Sequence, residues 1–357
     1  MDDKQERTDE PARQKAGGPA PNDVFADTDE DQIWPADGRR LTLHVGVSVR
    51  ERRIDKYLHG RFRNLSRNYI QDAIKSGSVK VNGKPVKPSF KLTHGDAIEF
   101  VVPEPPKNDI PPDDIPLNII YEDSDVIILN KQANIIIHPT RGNVHGTLVN
   151  ALAFYSNQLS SGLGEFRPGI VHRLDKNTTG VMVVAKNNIA QWKIAKQFEL
   201  RHVKKTYFAI VHGTPDLTAD RIKAPLGVHP QIRAKHAIRP EVGKESITFY
   251  EVLEAFRGYS FLKMMPHTGR THQIRVHLSW IKHPIVADEM YGGKLVYRWQ
   301  LADEAPAAED PIISRYALHA ACLEFKHPTT GQEMKFEAPL PSDMQNLLDM
   351  LRKYRRI

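Results

Sequence analysis

Two stretches of this 357-residue chain bring titratable side chains and turn residues close enough together to do chemistry. The first is Gly169-Ile170-Val171-His172-Arg173-Leu174-Asp175-Lys176-Asn177-Thr178-Thr179-Gly180, which runs directly into the apolar segment 181–185. A carboxylate there sits at the rim of a core, where neighbouring cations decide whether it stays ionised. Taken alone, Asp175 reads as a turn or capping aspartate. The second stretch is Thr268-Gly269-Arg270-Thr271-His272-Gln273-Ile274-Arg275-Val276-His277-Leu278. Ile274, Leu278 and Ile281 fall at i, i+4 and i+7, so a helix starting near Thr271 is predicted, with Arg275 off the apolar stripe and able to reach back toward a site. Arg270 and Arg275 on their own read as surface or ion-pair residues. His272 and His277 are five apart, the wrong spacing for two ligands on one helix face, and the block holds no acid. No metal site is expected there.

The elements that must position these blocks follow from hydrophobic pattern. Val181-Met182-Val183-Val184-Ala185 is a short apolar run of buried-strand type. Tyr207, Ala209 and Val211 alternate with Phe208 and Ile210, so that strand is apolar on both faces and belongs inside a sheet. By the same pattern Tyr207 is a core tyrosine. Ile119-Ile120-Tyr121 and Val126-Ile127-Ile128-Leu129 flank the acidic turn Glu122-Asp123-Ser124-Asp125, which predicts a hairpin. The region 117–357 therefore reads as mixed α and β with many strands.

Upstream, residues 104–116 are dense in proline, which lacks a backbone donor and stiffens the chain, and they read as a linker. Residues 39–103 form a separate small unit. Ile54, Tyr57, Leu58 and Phe62 mark one helix, and Ser66 is a candidate N-cap for a second with Tyr69, Ile70, Ala73 and Ile74 inward. Gly77 is a natural helix stop, Val79 and Val81 alternate with lysine, and Asn82-Gly83 predicts a type I′ turn with Val86 on the return strand. Residues 1–38 lack apolar periodicity and are expected to be disordered.

The formal charge of +7 is unevenly spread. Residues 1–38 carry eleven acids and four bases, so the rest of the chain is at +14. Between Arg50 and Phe100 twelve bases face five acids, half of that excess in a short span. Clustered Lys and Arg gain affinity for polyanions by releasing counterions, which favours an RNA-binding face. No apolar run approaches the roughly 18 residues of a membrane span. The lone Cys322 excludes a disulfide framework and a cysteine-based zinc site. A cytoplasmic protein with no membrane partner is the expectation.

Two family resemblances join these features. Arg53-Ile54-Asp55-Lys56-Tyr57-Leu58, Ser66-Arg67-Asn68-Tyr69-Ile70 and Gly77-Ser78-Val79-Lys80-Val81-Asn82-Gly83-Lys84 resemble the S4 RNA-binding domain, with two helices on a hairpin sheet. That implies RNA contacts at Arg53, Lys56, Arg67, Lys80 and Lys84. His172-Arg173-Leu174-Asp175-Lys176-x-Thr178-Thr179-Gly180, together with Gly269-Arg270-Thr271-His272-Gln273-Ile274-Arg275-Val276-His277, resembles the RluA-type RNA pseudouridine synthases. Supporting blocks include Gly146–Leu152, Lys205-Thr206-Tyr207, Tyr291-Gly292-Gly293 and Leu318-His319-Ala320, and the likeness spans about 117–340. The S4 arrangement is that of the large-subunit ribosomal RNA branch.

The resemblance implies an α+β enzyme whose catalytic domain is a mixed, largely antiparallel sheet with flanking helices. It implies isomerisation of uridine to pseudouridine by a monomer, with no metal or cofactor. Asp175 is the implied essential carboxylate, a nucleophile at C1′ or a base at C2′, and Arg275 is its cationic partner. Tyr207 is the face for an extruded uracil, and Arg173 fills the vacated stack. His172, Thr179, Arg270, His272 and Gln273 are implied substrate contacts. The alternatives are a transfer RNA or small-subunit substrate, an inactive RNA-binding assembly factor, or a two-carboxylate hydrolase needing a second acid such as Glu199 or Glu251. The chain departs from the family pattern at Lys131-Gln132-Ala133-Asn134, where Lys-Pro-x-Gly is usual. It departs also at Lys282 and Ala287, often glycine, and at Tyr316, often glutamine. None of these is expected to touch the catalytic groups.

Overall fold

A computed structural model of the chain describes residues 23–25, 40–47, 51–62, 65, 67–101, 110–138, 144–156 and 168–357. It divides into two compact units, one built almost wholly from the chain up to Glu104 and one from Pro105 onward. No helix among the described residues is long and apolar enough to cross a membrane.

The first unit runs β1 (Asp23–Phe25), β2 (Arg40–His44), β3 (Arg52–Arg53), α1 (Ile54–Arg61), α2 (Arg67–Lys75), β4 (Val79–Val81), β5 (Lys84–Pro85), β6 (Lys91–Leu92) and β7 (Ala97–Val101). Strand order is β1-β2-β7-β4-β5, with β3 paired to β6, so the expected hairpin is one edge of a five-stranded sheet. Asn82 and Gly83 both take positive φ, 50° and 75°, as a type I′ turn requires. The return strand is only Lys84–Pro85, and Val86 lies beyond it. Asp23–Phe25, within the stretch expected to be disordered, is a strand lying parallel to β2. The rest of 1–38, the Ser66 cap and linker residues 104–109 lie outside the described residues.

Leu58, Phe62, Ile70, Ile74 and Phe100 close the core of this unit. Asp55 is fully buried within it. Its carboxylate accepts from Arg53 at 3.0 Å, from Arg67 at 2.8 Å and from Gln71 at 2.7 Å. Burial alone would raise its pKa, but these bonds outweigh burial and hold it well below the usual carboxylate range. Arg53 and Arg67 are therefore tied to α1, while Lys56, Lys80 and Lys84 are exposed.

The second unit runs β8 (Ile119–Glu122), β9 (Val126–Lys131), α3 (Leu148–Tyr155), β10 (Thr179–Ala185), α4 (Asn188–Glu199), β11 (Lys204–His212), β12 (Ala219–Lys223), β13 (Leu226–Val228), β14 (His236–Ile238), β15 (Ile247–Phe256), β16 (Tyr259–Pro266), α5 (Gln273–Trp280), α6 (Arg298–Ala302), β17 (Leu318–Lys326), β18 (Glu333–Glu337) and α7 (Ser342–Tyr354). The main sheet has the order β12-β15-β16-β11-β17-β10-β9-β8, with β18 also on β17. Only the β10–β17 pairing in it is parallel, so the fold is α+β with a mixed, largely antiparallel sheet.

The continuous apolar runs now have a cause. Ile127, Leu129, Met182 and Val184 point into a core with Leu148, Val149 and Leu152 of α3. Val126, Ile128, Val181 and Val183 point the other way, onto Ala190 and Ile194 of α4. Strands covered on both faces need no polar side, which is why alternation is absent from them. Gly180 lets β10 and β17 approach: its φ is +116°, and a Cβ there would lie 2.1 Å from the Ala320 carbonyl oxygen.

Candidate active site

The two charged blocks and the start of β11 meet at one cleft of about 480 Å³, lined by Asp175, Tyr207 and Arg275 among others. Asp175 stands on the loop into β10, and the backbone of that loop is fixed from several sides. Thr178 N–H closes a turn onto the Asp175 carbonyl at 3.1 Å. Lys131, fully buried at the end of β9, donates from Nζ to the Lys176 and Thr178 carbonyls at 3.0 Å each. Burial and the nearby Arg315 pull its pKa down to about 7, against the opposing charge of Asp175. Arg315 donates to the Asn177 carbonyl at 3.1 Å and grips Asp343 of α7 through two nitrogens at 2.7 and 2.8 Å. The Tyr316 hydroxyl accepts the Asn177 N–H at 3.0 Å.

Arg275 comes from α5, whose residues Gln273 to Leu278 are all buried. The predicted amphipathic stripe is thus only part of a helix whose first six residues are buried on every side, with Trp280 at its end exposed. Its start is held by Gln273, whose amide oxygen accepts from Thr268 Oγ1 and the Arg270 N–H. The Gln273 nitrogen donates to the Ile247 carbonyl and Thr248 Oγ1 on β15. The Arg275 guanidinium binds Asp288 through Nε at 2.7 Å and Nη2 at 2.8 Å, and turns Nη1 toward Asp175 at 3.3 Å. Its central carbon lies 4.2 Å from the Tyr316 ring centre and 4.8 Å from that of Tyr291. Two acids and two aromatic faces leave this guanidinium little freedom.

His272 is the second side chain near the Asp175 carboxylate, with Nε2 at 3.8 Å. It adopts a left-handed φ of 57° immediately before α5. The Tyr291 hydroxyl accepts from the His236 N–H at 2.9 Å and lies 2.8 Å from His272 Nδ1. Its own proton therefore goes to Nδ1, which leaves His272 Nε2 as the N–H facing Asp175. Burial lowers the His272 pKa against the pull of Asp175, so the ring is neutral at pH 7. Tyr207, opposite, has its pKa pushed up by burial and then by the Asp175 charge, so its phenol keeps its proton.

The remaining expected contacts divide. Arg173 is exposed at the cleft, and Arg270 lines it while donating to the Glu245 carbonyl. His172 is part of the wall: Nε2 accepts the Val183 N–H at 3.1 Å, and the ring stacks on Phe198 at 4.6 Å. Burial, with Lys205 nearby, lowers its pKa to about 3. Thr179 does not line the cleft; β10 turns its hydroxyl onto His319 Nδ1 at 2.8 Å. Tyr316 corrects the expectation that the departures from the family pattern stay clear of the catalytic groups, because it touches Arg275 and the Asp175 loop together. Asn134, Lys282 and Ala287 take φ of 63°, 68° and 60°, the region glycine would enter without strain.

Asp288, Tyr291, Lys131 and Lys205 escaped the sequence reading as site residues. A lysine closing an apolar strand was the one signal available for Lys131. Asp123, Asp125 and His327 are the one group among the described residues close enough to share a cation. His327 Nδ1 accepts the Thr329 and Thr330 N–H groups, so its Nε2 proton goes to Asp123 at 3.1 Å. That cluster satisfies itself as a hydrogen-bonded turn.

Comparison with known proteins identifies the family. A family model described as RNA pseudouridylate synthase matches residues 125–280, and one for the S4 domain matches residues 52–98. An uncharacterised RNA pseudouridine synthase of Chlorobaculum parvum is 41% identical over 319 residues, covering 87% of this chain and 98% of its own. Ribosomal large subunit pseudouridine synthase D of Escherichia coli K12 is 39% identical over 316 residues, covering 88% and 94%. Among solved structures, human RNA pseudouridylate synthase domain containing 4 aligns with a TM-score of 0.51 at 26% identity, covering 66% of this chain and 93% of that one.

Proposed function

This chain belongs to the RNA pseudouridylate synthase family, a family of isomerases, and from that premise we propose that it converts specific uridines of large-subunit ribosomal RNA to pseudouridine. The observation that carries this reading is the Asp175–Arg275 pair at 3.3 Å, set beside Tyr207 in a cleft open to solvent. The ribosomal substrate is supported by relatives named for it and by an S4 domain ahead of the catalytic unit. The protein acts on RNA in the cytoplasm as a monomer, without a membrane partner.

In this mechanism the target uridine leaves its stack, at a cost of a few kcal/mol, and Arg173 occupies the space it vacates. The uracil lies against Tyr207. Asp175, with the Arg275 guanidinium at 3.3 Å, acts either as nucleophile at C1′ or as base at C2′. The N1–C1′ bond breaks and the uracil turns. C5 joins C1′ as the bond to Asp175 breaks or, on the other route, before Asp175 returns its proton to C2′. The C5 proton is lost to solvent and N1 gains one, so the product is an isomer of the substrate. A protonated Tyr207 hydroxyl donates to the detached uracil while it turns. A two-carboxylate hydrolase is not set up here, because Asp288 is committed to Arg275 and Glu199 pairs with Lys196. Carbodiimide mapping of ribosomal RNA from cells lacking the protein is expected to show lost pseudouridines in the large subunit. Losses confined to transfer RNA would overturn the substrate, and release of free uracil would overturn the reaction.

A further inference from the structure

Three cations that line the cleft have no part in the reaction above: Arg201 and Arg270, which are engaged with Glu245, and Lys205. Lys205 stands two residues before Tyr207 on β11, so both side chains leave the same face of the strand, about 7 Å apart, and both line the cleft. Across from it the second charged block presents a residue without a side chain: a Cβ on Gly269 would lie 3.7 Å from Lys205 Nζ. Among the described residues the Lys205 ammonium has no hydrogen-bond or ion-pair partner. The acids that line the cleft are engaged elsewhere, Asp175 with Arg275 and Glu199 with Lys196. Burial alone lowers the Lys205 pKa to about 8, the mark of an ammonium that has lost water and gained no counter-ion.

We infer that Lys205, facing the bare backbone of Gly269, is an anion subsite that takes a phosphodiester of the RNA next to the extruded uridine. The inference rests on the pseudouridine-synthase reading and adds a contact that fixes the register of the strand. A base stacked on Tyr207 carries its own phosphates about one side-chain length away, and Lys205 is the half-buried charge at that distance. A point charge on a flexible stem suits a phosphate whose angle of approach changes as the sugar swings out.

The test uses the full-length protein with transcribed large-subunit ribosomal RNA fragments. Binding is followed across a potassium chloride series beside pseudouridine formation, for Lys205→Met, Lys205→Arg and Gly269→Asp. Methionine keeps the apolar stem and suits the burial; aspartate at 269 places a competing carboxylate against Nζ. Lys205→Met and Gly269→Asp are expected to weaken binding about tenfold at 0.1 M salt. The log–log salt slope should become shallower by about 0.7–0.9, as for one lost phosphate contact. For Lys205→Met the loss should appear in KM rather than kcat, and Lys205→Arg should keep the slope. In the RNA, a neutral methylphosphonate linkage beside the modified uridine should cost the parent protein affinity and cost Lys205→Met nothing at that linkage. An unchanged slope in Lys205→Met would overturn the inference, and so would a fall in kcat at unchanged KM, which would assign Lys205 to the chemistry. If the parent protein forms no pseudouridine, the proposed function fails, while the slope comparison still reads on Lys205.

Discussion

Asp175 and Asp288 share one arginine, yet their replacement by asparagine should have opposite consequences. Arg275 is 5% exposed and Asp288 1% exposed, and two short bonds join them. Asp288→Asn leaves a buried guanidinium without its main counter-charge, a change that typically costs about 3–5 kcal/mol. In a unit of this size each kcal/mol moves Tm by about 2–4 °C, so the drop should be roughly 6–12 °C at the low end of that range. Asp175 is different: it is 18% exposed, its bond to Arg275 is the longer one at 3.3 Å, and asparagine retains an acceptor oxygen there. The difference between a charge-assisted and a neutral hydrogen bond is about 1 kcal/mol, or a Tm change of about 2–4 °C. Activity should reverse the ranking. Asp175→Asn removes the only proposed nucleophile or base and should reduce pseudouridine formation by at least about 10²–10⁴-fold. Thermal unfolding by circular dichroism and carbodiimide mapping of treated RNA give the two readouts. If Asp175→Asn retains activity, or destabilises as much as Asp288→Asn, the division of labour around Arg275 is wrong.

Other outcomes follow from the same geometry. Tyr207→Phe keeps the ring and loses the hydroxyl, so single-turnover rates should fall about 10²-fold or more while RNA affinity holds. Tyr207→Leu should also weaken RNA binding, by the roughly 1–3 kcal/mol of a base–aromatic stack. Tyr316→Phe leaves the half-buried Asn177 N–H without its acceptor, a loss of about 1 kcal/mol in loop placement, and turnover should drop about fivefold with the Arg275 stack intact. His172 has a folded-state pKa near 3, below the unfolded value of about 6.5, so the unfolded chain binds the extra proton between these limits. Its contribution to stability is full above pH 6.5 and is lost as pH falls toward 3, at up to about 1.4 kcal/mol per pH unit. Urea midpoints of His172→Asn, whose amide can still accept from Val183, should show a flatter pH dependence in that window; an unchanged slope would count against the buried neutral ring.

What the sequence revealed and what it hid differ by the range of the forces involved. The Asn82-Gly83 turn, the Gly77 helix stop, the 119–129 hairpin and the buried strands around Met182 and Ala209 depend on residues within a few positions of one another, and all are present. The Asp175–Arg275 pairing spans 100 residues and was accessible only through family resemblance. Asp288 lay beyond both, since an acid in Val-Ala-Asp-Glu-Met carries no local sign that α5 will bring an arginine onto it. Tyr316 was visible as a departure but not as a contact, because its two partners, Arg275 on α5 and Asn177 on the loop into β10, are remote in the chain. The small sheet of the first unit was underestimated for the same reason: β7 joins β4 to β2 by pairings with no turn between them.

The arrangement around Arg275 explains why the site can hold a charge ready without collapsing onto itself. A carboxylate paired to one arginine in a dry pocket tends to form a closed, two-pronged ion pair, and such a pair resists giving its anion to a substrate. Here the two prongs belong to Asp288, which does not line the cleft, and the tyrosine faces of residues 291 and 316 fix the plane of the guanidinium. Asp175 receives only the remaining nitrogen and the neutral His272 N–H at a longer distance. Its position is thus set mainly through the backbone, by Lys131, Arg315 and Tyr316, while its oxygens remain available on the cleft side. Preorganisation of this kind holds the reacting group in place before the substrate arrives, so that binding the uridine need not also order the loop.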